Sequence, residues 1–552
     1  MVDPLPEREA RRIVVLGGGF AGTAAAVELA RAVGGESGVE VLLVSEENYA
    51  VFQPMLPEVV AGGIEPTHIV TSLRQLGGGV RFRCARVHAI DWARRRVQLA
   101  EAESPRLHEL GYDQLVLALG QVVDLSRIPG MAEHALPIKT LGDAFHLRNH
   151  VLSRLEQAEL EDDAARRRWL LTFVAIGGGF SGVETAAEVH DLVRRALPSY
   201  PRARSTGHRM VLVHSRDVIL NELDPRLGAF AQRTMAARGI EFALPRRSAE
   251  ATPEGVRLDD GTFIAAGTVI CTIGNAPHPL LRSSPLPQQG GRVVTDACLR
   301  VEGHDGIWAL GDAAAVPDVV NGGTCPPTAQ YAVRQGRTLA RNVVASLRGE
   351  PCRPFAFGGL GQLAVVGHRC GVAQLCGLRL SGFLAWALWR GVYWAKLPSF
   401  RSKVRVGLDW LLELFFPRDL AKFEVRRTEA LSTSHWRAGD CLVREGERGD
   451  TFFVLQKGQV EIVRADAAAP GGERRLAVKG PGESFGETAL LTDAPRNATV
   501  RALTSVDVLT FRRADFERLV ASYGVLREQM ERDVARHAVE PAAAPAAPPA
   551  SR

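Results

Sequence analysis

The sequence predicts an α/β fold in which one parallel-sheet unit is inserted into another, followed by an amphipathic helical segment and a small all-β domain. An apolar run, a glycine triplet and a helix-forming run follow one another at residues 13–22, and the same order returns at residues 173–182. A strand-and-turn signal at residues 306–313 would bring the chain back to the first unit. From residue 425 onwards, short apolar strands alternate with Gly and Asp turns, which is typical of a β-barrel or jelly roll.

The first glycine loop has the spacing of a dinucleotide-binding, Rossmann-like unit. Gly17, Gly19 and Gly22 fit G-x-G-x-x-G. In this pattern the first glycine makes the turn, the second lets a pyrophosphate approach, and the third lets helix and strand pack closely. The phosphates would lie on free N–H groups at the helix N-terminus, beside Phe20 and Ala21.

Three further signals belong to this unit. Ser45 stands where an acid usually binds the ribose, so we assign that contact to the next residue, Glu46. A predicted strand ends in a turn of small residues, and the backbone at Ala118 and Gly120 could therefore approach a flavin or its phosphates. The alternative is an ordinary junction between a strand and a loop. Asp312, directly after a glycine at a strand end, can bond the ribityl hydroxyls of a flavin.

The second glycine loop repeats the first, which indicates one resident dinucleotide and one that visits. The residues assigned to it are Gly177, Gly179, Gly182 and Gly274. His214 stands where an NADH site usually carries an acid, and Arg216 could meet a 2′-phosphate. NADH and NADPH therefore both stay open.

Composition narrows the function classes. Of 552 residues, 46% are apolar and 23% charged, which is ordinary for globular domains. The net charge of +5 is too small for this length to indicate a nucleic-acid partner. The eight cysteines show neither C-x-x-C nor metal-ligand spacing, so a reducing compartment and no metal site are expected. The N-terminal residues lack the apolar core of a signal peptide, and no export is expected.

Residues 12 to about 355 resemble the flavoprotein reductases with two dinucleotide folds, on both glycine loops and on the segments 118–120 and 310–312. The resemblance implies FAD as resident cofactor and NADH or NADPH as substrate. Residues 324–336 resemble the quinone-site motif A-Q-x-A-x-Q-Q-G of type II NADH dehydrogenases, single-subunit enzymes that do not pump protons, and depart from it at Arg334. The matching residues are Ala329, Gln330, Ala332, Gln335 and Gly336.

The same resemblance implies three catalytic residues. Gln330 would hydrogen-bond a quinone carbonyl near the flavin edge, with Gln335 beside it, and polar residues packed under the flavin are the alternative. Glu184, on the first helical turn after the second glycine loop, stands where the family places a glutamate and would relay a proton. An acid that only satisfies the helix dipole is the alternative. Residues 48–54 also resemble the family's N-N-Y-x-x-F-Q-P segment.

Two other functions stay open from sequence. A sulfide:quinone oxidoreductase shares the fold but needs cysteines near the flavin, and nothing between Cys84 and Cys271 can serve. The other alternative is a signalling protein with a non-catalytic flavoprotein half and nucleotide-controlled membrane association. The intact glycine loops and Asp312 weigh against it.

Residues 380–416 predict peripheral attachment to the cytoplasmic face of the inner membrane. Charges interrupt the apolar run well before the ~20 residues needed to span a bilayer. One helical face consists of Val404, Leu408, Leu411, Leu412 and Phe415, and the opposite face of Arg401, Arg405, Asp409 and Glu413. Half of the eight tryptophans lie between 386 and 410, which suits rings in the bilayer and cations outward. The alternative is a helix packed on its own domain or on a homodimer partner.

Residues 481–500 resemble the phosphate-binding cassette of cyclic nucleotide-binding domains, F-G-E-x-A-L followed by R-x-A-T-V. A helix starting near Glu487 would offer N–H groups to the phosphate, Arg496 a bidentate cation, and Glu487 an acceptor for the ribose 2′-OH. Asn497 stands where the family varies with base choice, so cAMP and cGMP both stay open. A barrel that persists without ligand is the alternative. The predicted binding residues are Phe485, Gly486, Glu487, Thr488, Ala489, Arg496, Asn497 and Ala498.

Together these signals predict a FAD-dependent, non-proton-pumping NAD(P)H:quinone oxidoreductase tuned in activity or location by a cyclic nucleotide. The predicted domains are a FAD-binding domain in two parts (1–147 and 296–378), an inserted NAD(P)H-binding domain (148–295), a membrane-binding segment (379–424), a cyclic nucleotide-binding domain (425–537) and a disordered tail (538–552).

Overall fold

The computed structural model describes residues 11–34, 38–101, 106–423 and 432–512, the last range with gaps at 448, 467–468, 470–471 and 493–494. The chain divides into two compact units, Met1–Phe423 and Glu424–Arg552. The predicted tail, and residues 513–537 of the predicted nucleotide domain, lie outside the described residues.

The first unit is organised around a five-stranded parallel sheet whose central strand is buried on both faces. Its strand order is Ile307–Ala309, Gln114–Leu117, Arg11–Leu16, Val39–Ser45 and Arg81–Cys84. Helices Phe20–Val33 and Ala329–Arg348 pack against each other. Antiparallel strands lie at Arg86–Asp91, Arg96–Ala100 and Leu107–Gly111. The edge strand Ile307–Ala309 comes from beyond the inserted unit, which confirms the predicted return of the chain.

The inserted part repeats this plan. Its parallel strands lie in the order Ala135–Pro137, Thr268–Cys271, Thr172–Ile176, Arg209–Val213 and Ile240–Ala243. Helix Phe180–Ala196 begins directly after the second glycine loop, and helix Leu141–Leu160 begins with a capping box formed by Thr140 and Asp143. A small antiparallel sheet consists of Ser248–Thr252, Gly255–Leu258 and Phe263–Ala265. Across the whole first unit, shorter helices lie at Leu56–Val60, Met131–His134, Ala164–Leu170, Pro201–Thr206, Pro225–Ala237 and Pro279–Arg282.

Both crossings between the two sheets lie earlier in the chain than the predicted domain boundaries. Strands Gln121–Val123 and Asn275–Pro277 pair where the chain leaves the first sheet and returns to it. The boundary expected at 147/148 falls inside helix Leu141–Leu160, after the second sheet has already begun. The boundary expected at 295/296 follows strand Arg292–Val294, which already pairs with Ala314–Ala315. These crossings lie in short loops without a shift in composition, so the sequence did not reveal them.

The first unit ends with a small sheet and two helices. Strands Gly361–Val365, Gly371–Leu375 and Leu378–Gly382 are antiparallel. Helix Phe383–Lys396 packs on this sheet and is followed by helix Phe400–Leu412. The first of these strands also contacts helix Phe180–Ala196, which brings the end of this unit to the second glycine loop's helix.

The second unit has two four-stranded antiparallel sheets around one apolar core, as the strand spacing predicted. One sheet has the order Ser432–Trp436, Val506–Arg512, Thr451–Lys457 and Ser484–Phe485, and the other Cys441–Val443, Thr499–Ala502, Val460–Ala465 and Glu473–Lys479. The helix Glu487–Thr492 follows the second glycine of the predicted phosphate-binding cassette.

Candidate active site and nucleotide site

One cleft of 1010 Å³ in the first unit collects most of the residues predicted for the flavin. Those on its wall are Gly17, Gly19, Phe20, Ala21, Glu46, Ala118, Gly120, Glu184 and Asp312. The second glycine loop contributes Phe180 and Ser181 to the same wall. The remaining predicted residues of this unit are not among those that line the cleft: Gly22, Gly177, Gly179, Gly182, Gly274, Gln330 and Gln335.

The first glycine loop fits a pyrophosphate. Gly17 has a φ of 111°, and a β-carbon on it would lie 2.3 Å from the carbonyl oxygen of Ala118. A β-carbon on Gly22 would lie 1.9 Å from the carbonyl oxygen of Gly17, so a side chain there would force helix and strand apart. Nothing lies within 4 Å of the place where Gly19 would carry a β-carbon. A phosphate can therefore approach the helix that begins at Phe20.

Two acids on the cleft wall match the hydroxyl-rich parts of FAD. Glu46 lies at the end of the second strand, where the Cys84 thiol donates to its backbone carbonyl at 3.1 Å. Burial raises the pKa of Asp312, and Lys139 and Arg292 oppose that rise. Carboxylates in such positions accept hydrogen bonds from hydroxyl groups. The phosphate cradle and these acceptors together fit FAD.

The second glycine loop obeys the same packing rules. A β-carbon on Gly177 would lie 2.4 Å from Thr272 Oγ1, and one on Gly182 would lie 1.8 Å from the carbonyl oxygen of Gly177. Gly274 has a φ of 96° and faces a backbone carbonyl at 2.7 Å from its would-be β-carbon. The same point on Gly179 has 3.9 Å to its nearest neighbour. Space for a second phosphate is therefore present at this helix N-terminus.

His214 covers the second loop. Its Nδ1 accepts a hydrogen bond from the Gly178 N–H at 3.1 Å. Burial lowers the pKa of His214, Glu222 opposes this and Arg216 adds to it, so the ring is neutral. The position therefore presents an uncharged imidazole where an NADH site usually presents an acid, and the choice between NADH and NADPH stays a prediction.

Glu184 is the fifth residue of helix Phe180–Ala196, one turn later than predicted, and it is nearly buried. Its Oε1 accepts the Val365 N–H at 3.0 Å and the Trp389 indole N–H at 3.1 Å. Burial raises the pKa of Glu184 to about 8, and the two hydrogen bonds offset only part of this rise. The carboxyl group therefore carries a proton at neutral pH, at the wall of the cleft. A protonated acid away from the first turn does not serve the helix dipole.

A buried ion cluster continues from the same helix to the end of the first unit. Glu188 accepts from Arg418 at 3.1 Å, and Arg418 also donates to Glu413 at 2.7 Å. Burial raises the pKa of Glu188 to about 7. Although burial also acts on Glu413, Arg418 and Arg390 hold the pKa of that carboxyl down at about 2. The last residues of the unit are therefore tied electrostatically to the helix that carries Glu184.

Glu58 completes the ion cluster, which consists of Glu58, Glu188, Arg390, Glu413 and Arg418. The Trp410 indole donates to Glu58 Oε2 at 2.9 Å, and Arg390 lies 3.7 Å from Glu58 and 2.9 Å from Glu413. Burial raises the pKa of Glu58, against the effect of Arg390 and of the Trp410 hydrogen bond. The cluster thus joins three segments that are far apart in the sequence.

Gln330 is held by backbone groups at both ends of its side chain. Its amide nitrogen donates to the carbonyl oxygen of Gly361 at 3.2 Å, and its amide oxygen accepts from the Leu360 N–H at 3.1 Å. Both ends of the side chain are engaged by backbone, so Gln330 fixes helix Ala329–Arg348 to the strand that donates to Glu184. Direct contact with a quinone would require these bonds to break.

Gln335 likewise faces the protein. It is 2% exposed, and its amide oxygen accepts from the Gly311 N–H at 2.8 Å. It therefore holds the turn that carries Asp312, and the alternative of polar residues packed under the flavin site describes it better than quinone contact. At Gly336 a β-carbon would lie 2.8 Å from the Ala25 nitrogen, so this glycine permits the two helices to touch.

Trp389 and Tyr393 are residues of the site that the sequence did not reveal. Tyr393 lines the cleft, and its ring packs edge-on against Trp389, with 4.7 Å between ring centroids. Burial raises the pKa of the Tyr393 hydroxyl, and the nearby Glu184 adds to the rise. The tryptophan-rich composition of their helix pointed to a membrane instead, and no local pattern distinguishes the two uses.

The helix pair at the end of the first unit turns its apolar face outward. Helix Phe400–Leu412 packs inward through buried Ser402 and Val406 and through Asp409, which contacts His68 at 2.6 Å. The predicted polar face is therefore partly the inner face. The exposed apolar residues are Phe383, Leu384, Trp394, Phe400, Val404, Leu408, Leu411, Leu412, Leu414, Phe415 and Phe416.

The tryptophans of this segment differ from the prediction that their rings enter the bilayer. Trp389 is 2% exposed, and the Trp386 and Trp410 rings lie 4.4 Å and 4.6 Å from the guanidinium of Arg390. Trp394 is 42% exposed. Three of the four rings thus stabilise the interior, because they hold the ion cluster and Glu184. Among the described residues, no helix combines the length and apolar character needed to cross a bilayer.

In the second unit, a cavity of 830 Å³ brings together all eight residues predicted to bind a cyclic nucleotide. Arg496 is 7% exposed and donates to the carbonyl oxygens of Gly486 at 2.8 Å and Thr451 at 2.6 Å. Glu487 is nearly buried, and its Oε2 has no hydrogen-bond partner among the described residues. A buried acceptor without a donor fits a ligand hydroxyl. A positioned arginine and an acid acceptor on one cavity wall therefore fit a ribose cyclic phosphate.

Asn497 lies beside this arginine on the cavity wall. Its backbone carbonyl accepts from Arg464 Nε at 2.9 Å. The choice between cAMP and cGMP stays a prediction. In the part of the chain that the structure describes, no group of three or more His, Cys, Asp or Glu side chains is arranged to hold a metal ion.

Comparison with known families covers both units. Residues 11–336 match the family of pyridine nucleotide-disulphide oxidoreductases, residues 360–419 match the NDH2 C-terminal domain, and residues 433–523 match the cyclic nucleotide-binding domain. The last match agrees with the cavity in the second unit. The middle match covers the small sheet and the helix pair, and it includes Val365 and Trp389, which donate to Glu184.

Known proteins show similarity along most of the first unit. The demethylphylloquinone reductase of Synechocystis is 32% identical over 72% of this chain and 95% of its own length. A type II NADH:quinone oxidoreductase of Mycobacterium tuberculosis is 29% identical over 74% of this chain and 89% of its own. The structure of NDH2 from Plasmodium falciparum in complex with NADH shares the fold, with a TM-score of 0.69, 19% identity, and coverage of 75% of this chain and 100% of that one. The chain therefore belongs to the pyridine nucleotide-disulphide oxidoreductase family and is a type II NADH dehydrogenase, an NADH:quinone oxidoreductase, fused to a C-terminal cyclic nucleotide-binding domain.

Proposed function

We propose that this enzyme moves electrons from NADH or NADPH to a membrane quinone in the cleft described above, without pumping protons. FAD, when bound there, supplies the hydride acceptor and the electron donor. The observation that supports this most directly is the meeting of the first glycine loop, Asp312 and protonated Glu184 on one cleft wall. No cysteine is among the residues that line the cleft, which disfavours sulfide:quinone chemistry.

Glu184 supplies a proton in this proposal. A quinone takes up two electrons and two protons to become a quinol, whereas a hydride carries two electrons and one proton. The second proton therefore comes from solvent through the protein, and a carboxyl group with a pKa of about 8 can hold it at neutral pH. Glu188 lies one turn further along the same helix, and burial raises its pKa to about 7.

Half-reaction kinetics test this assignment. Glu184→Gln should leave flavin reduction by NADH within about twofold of wild type and slow flavin reoxidation by quinone by about 100-fold, within the usual range for general acid catalysis. The exposed acid Glu133, changed to Gln, is the matched control. Equal slowing of both half-reactions would argue for a structural role, and unchanged reoxidation would remove Glu184 from the chemistry.

We propose that the outward apolar face of residues 400–416 docks on the membrane surface, on the cytoplasmic face of the inner membrane. The support is the orientation of helix Phe400–Leu412, in which Asp409 and Ser402 face the protein while Leu408 and Leu411 are exposed; Phe415, just after the helix, is exposed too. An apolar face of this kind is stable when covered by lipid or by a partner. Flotation of the purified protein with liposomes tests lipid as the cover. A dimer in buffer that fails to float would assign the face to a second copy instead.

We propose that a cyclic nucleotide, cAMP or cGMP, binds the second unit and tunes the activity or the membrane affinity of the first. The support lies in the last residues of the first unit, just before the linker. Arg418 bonds Glu188 on the helix of Glu184, and Phe423 exchanges two hydrogen bonds with Asn149. A ligand can shift the enzyme only by its difference in affinity for two states, and typical couplings are about 1–3 kcal/mol.

Calorimetry and turnover assays test this regulation. Cyclic nucleotide should bind, and saturation with it should change the quinone reductase rate or the liposome-bound fraction. Arg496→Glu should abolish both binding and response with basal turnover unchanged, because it places a negative charge against the phosphate, while the exposed Arg437→Ala should keep both. Tight binding of the nucleotide without any change in activity or membrane affinity would refute the regulation. Absence of binding would refute the proposal that a cyclic nucleotide is the ligand of the second unit.

A further inference from the structure

The membrane-proximal helix Phe383–Lys396 contributes to the proton-donor site as well as to the exposed apolar face. Trp389 is 2% exposed, and its indole N–H donates to Glu184 Oε1 at 3.1 Å. The Val365 N–H donates to the same oxygen at 3.0 Å. Two separate segments of the NDH2 C-terminal domain thus hold one oxygen of a carboxyl group that belongs to the inserted unit.

The chemistry of the two donors fixes where the acid proton lies. An indole nitrogen and a backbone amide nitrogen only donate hydrogen bonds. Two donors on Oε1 therefore exclude the acid proton from that atom, and a protonated Glu184 carries its proton on Oε2. Because Glu184 lines the cleft, we assign Oε2, the oxygen that neither donor holds, to proton transfer there.

We propose that Trp389 is a positioning residue for quinone reduction: its indole N–H holds Glu184 Oε1 so that the transferable proton stays on Oε2. This inference rests on the proposed role of Glu184 as proton donor. It assigns to the C-terminal segment a task in the reaction, besides contact with the membrane.

The charged and titratable groups around Glu184 define the expected pH dependence. Glu188 from its own helix and Glu58 from helix Leu56–Val60 both raise its pKa, and Tyr393 lies beside it on the helix of Trp389. The cations Arg418 and Arg390 act on Glu188 and Glu58. The indole N–H favours the charged carboxylate, so its loss raises the pKa of Glu184 further.

Trp389→Phe removes the donor and keeps an aromatic ring. In this variant we expect flavin reoxidation by quinone to slow by about tenfold and the alkaline limb of its pH profile to move upward by about one unit. Flavin reduction by NADH should stay within about twofold of wild type, since it needs no proton from Glu184. The matched control is Trp169→Phe, which removes an indole N–H from the carbonyl oxygen of Glu254 outside the cleft.

A second measurement uses the protein with Trp389 in place. The indole N–H resonances of isotope-labelled tryptophan are followed against pH in wild type and in Glu184→Gln. The Trp389 resonance should titrate near the Glu184 pKa of about 8 and lose that titration in the variant. A pH-independent resonance, or an unmoved limb in Trp389→Phe, overturns the positioning role. If the alkaline limb of the reoxidation pH profile persists in Glu184→Gln, Glu184 is not the proton donor. In that case the Trp389 indole resonance still decides whether Trp389 bonds Glu184.

Discussion

Substitution of Glu184 by glutamine should change how the stability of the first unit depends on pH. Burial raises the pKa of this carboxyl from 4.5 to about 8. A folded-state pKa above the unfolded one means that the folded protein binds the proton more tightly. The stability that the group contributes is therefore full below about pH 4.5 and is lost as pH rises through 8. Between about pH 6 and about pH 9, wild type should lose about 2.7 kcal/mol from this source alone.

Glutamine keeps the shape and an acceptor for the two N–H donors but does not titrate, so Glu184→Gln should lack this loss. The assay is urea unfolding at the two pH values, followed by tryptophan fluorescence, because seven of the eight tryptophans lie in the first unit. Glu133→Gln is the control and should follow wild type. If wild type and Glu184→Gln lose the same free energy of unfolding between the two pH values, the carboxyl is not protonated in the folded enzyme.

Three further substitutions probe other parts of the account. Asp312→Ala should lower the flavin content of the purified protein by more than half, measured as the ratio of visible to ultraviolet absorbance. Full flavin occupancy in this variant would contradict the assignment of Asp312 to flavin binding. Leu411→Glu should lower the liposome-bound fraction by about tenfold, whereas Leu160→Glu, at a residue 81% exposed elsewhere, should not; equal effects would contradict the docking face. Arg418→Met should cost about 3 kcal/mol in free energy of unfolding, because it leaves the Glu413 side chain, which is 9% exposed, with one cation fewer; a change below about 1 kcal/mol would contradict the ion cluster.

Features set by local spacing could be predicted from the sequence. Gly22 is required by its contact with the carbonyl oxygen of Gly17, five residues earlier, and Gly182 repeats this contact with Gly177. Both parallel sheets could therefore be predicted from two short patterns. Arg496 and Glu487 also lie within one short segment, and the structure brings them to one cavity wall.

Features set by long-range contacts could not be predicted. Gln330 matched a motif, but its partners lie in the strand that begins at Gly361, and nothing near Gln330 in sequence reveals that strand. Trp389 stands 205 residues from Glu184, within a stretch whose composition resembles a membrane-interface helix. Helix Phe400–Leu412 is amphipathic as predicted, yet part of its polar side faces inward because Asp409 meets His68 there.

The most direct test of the account is anaerobic titration of the purified protein, followed by the visible absorbance of its flavin. NADH should bleach the absorbance, a short-chain quinone should restore it with one quinol formed per NADH consumed, and sulfide should have no effect. Failure of NADH to bleach the flavin, or restoration by oxygen alone with quinone inert, would contradict an NADH:quinone oxidoreductase built on this cleft.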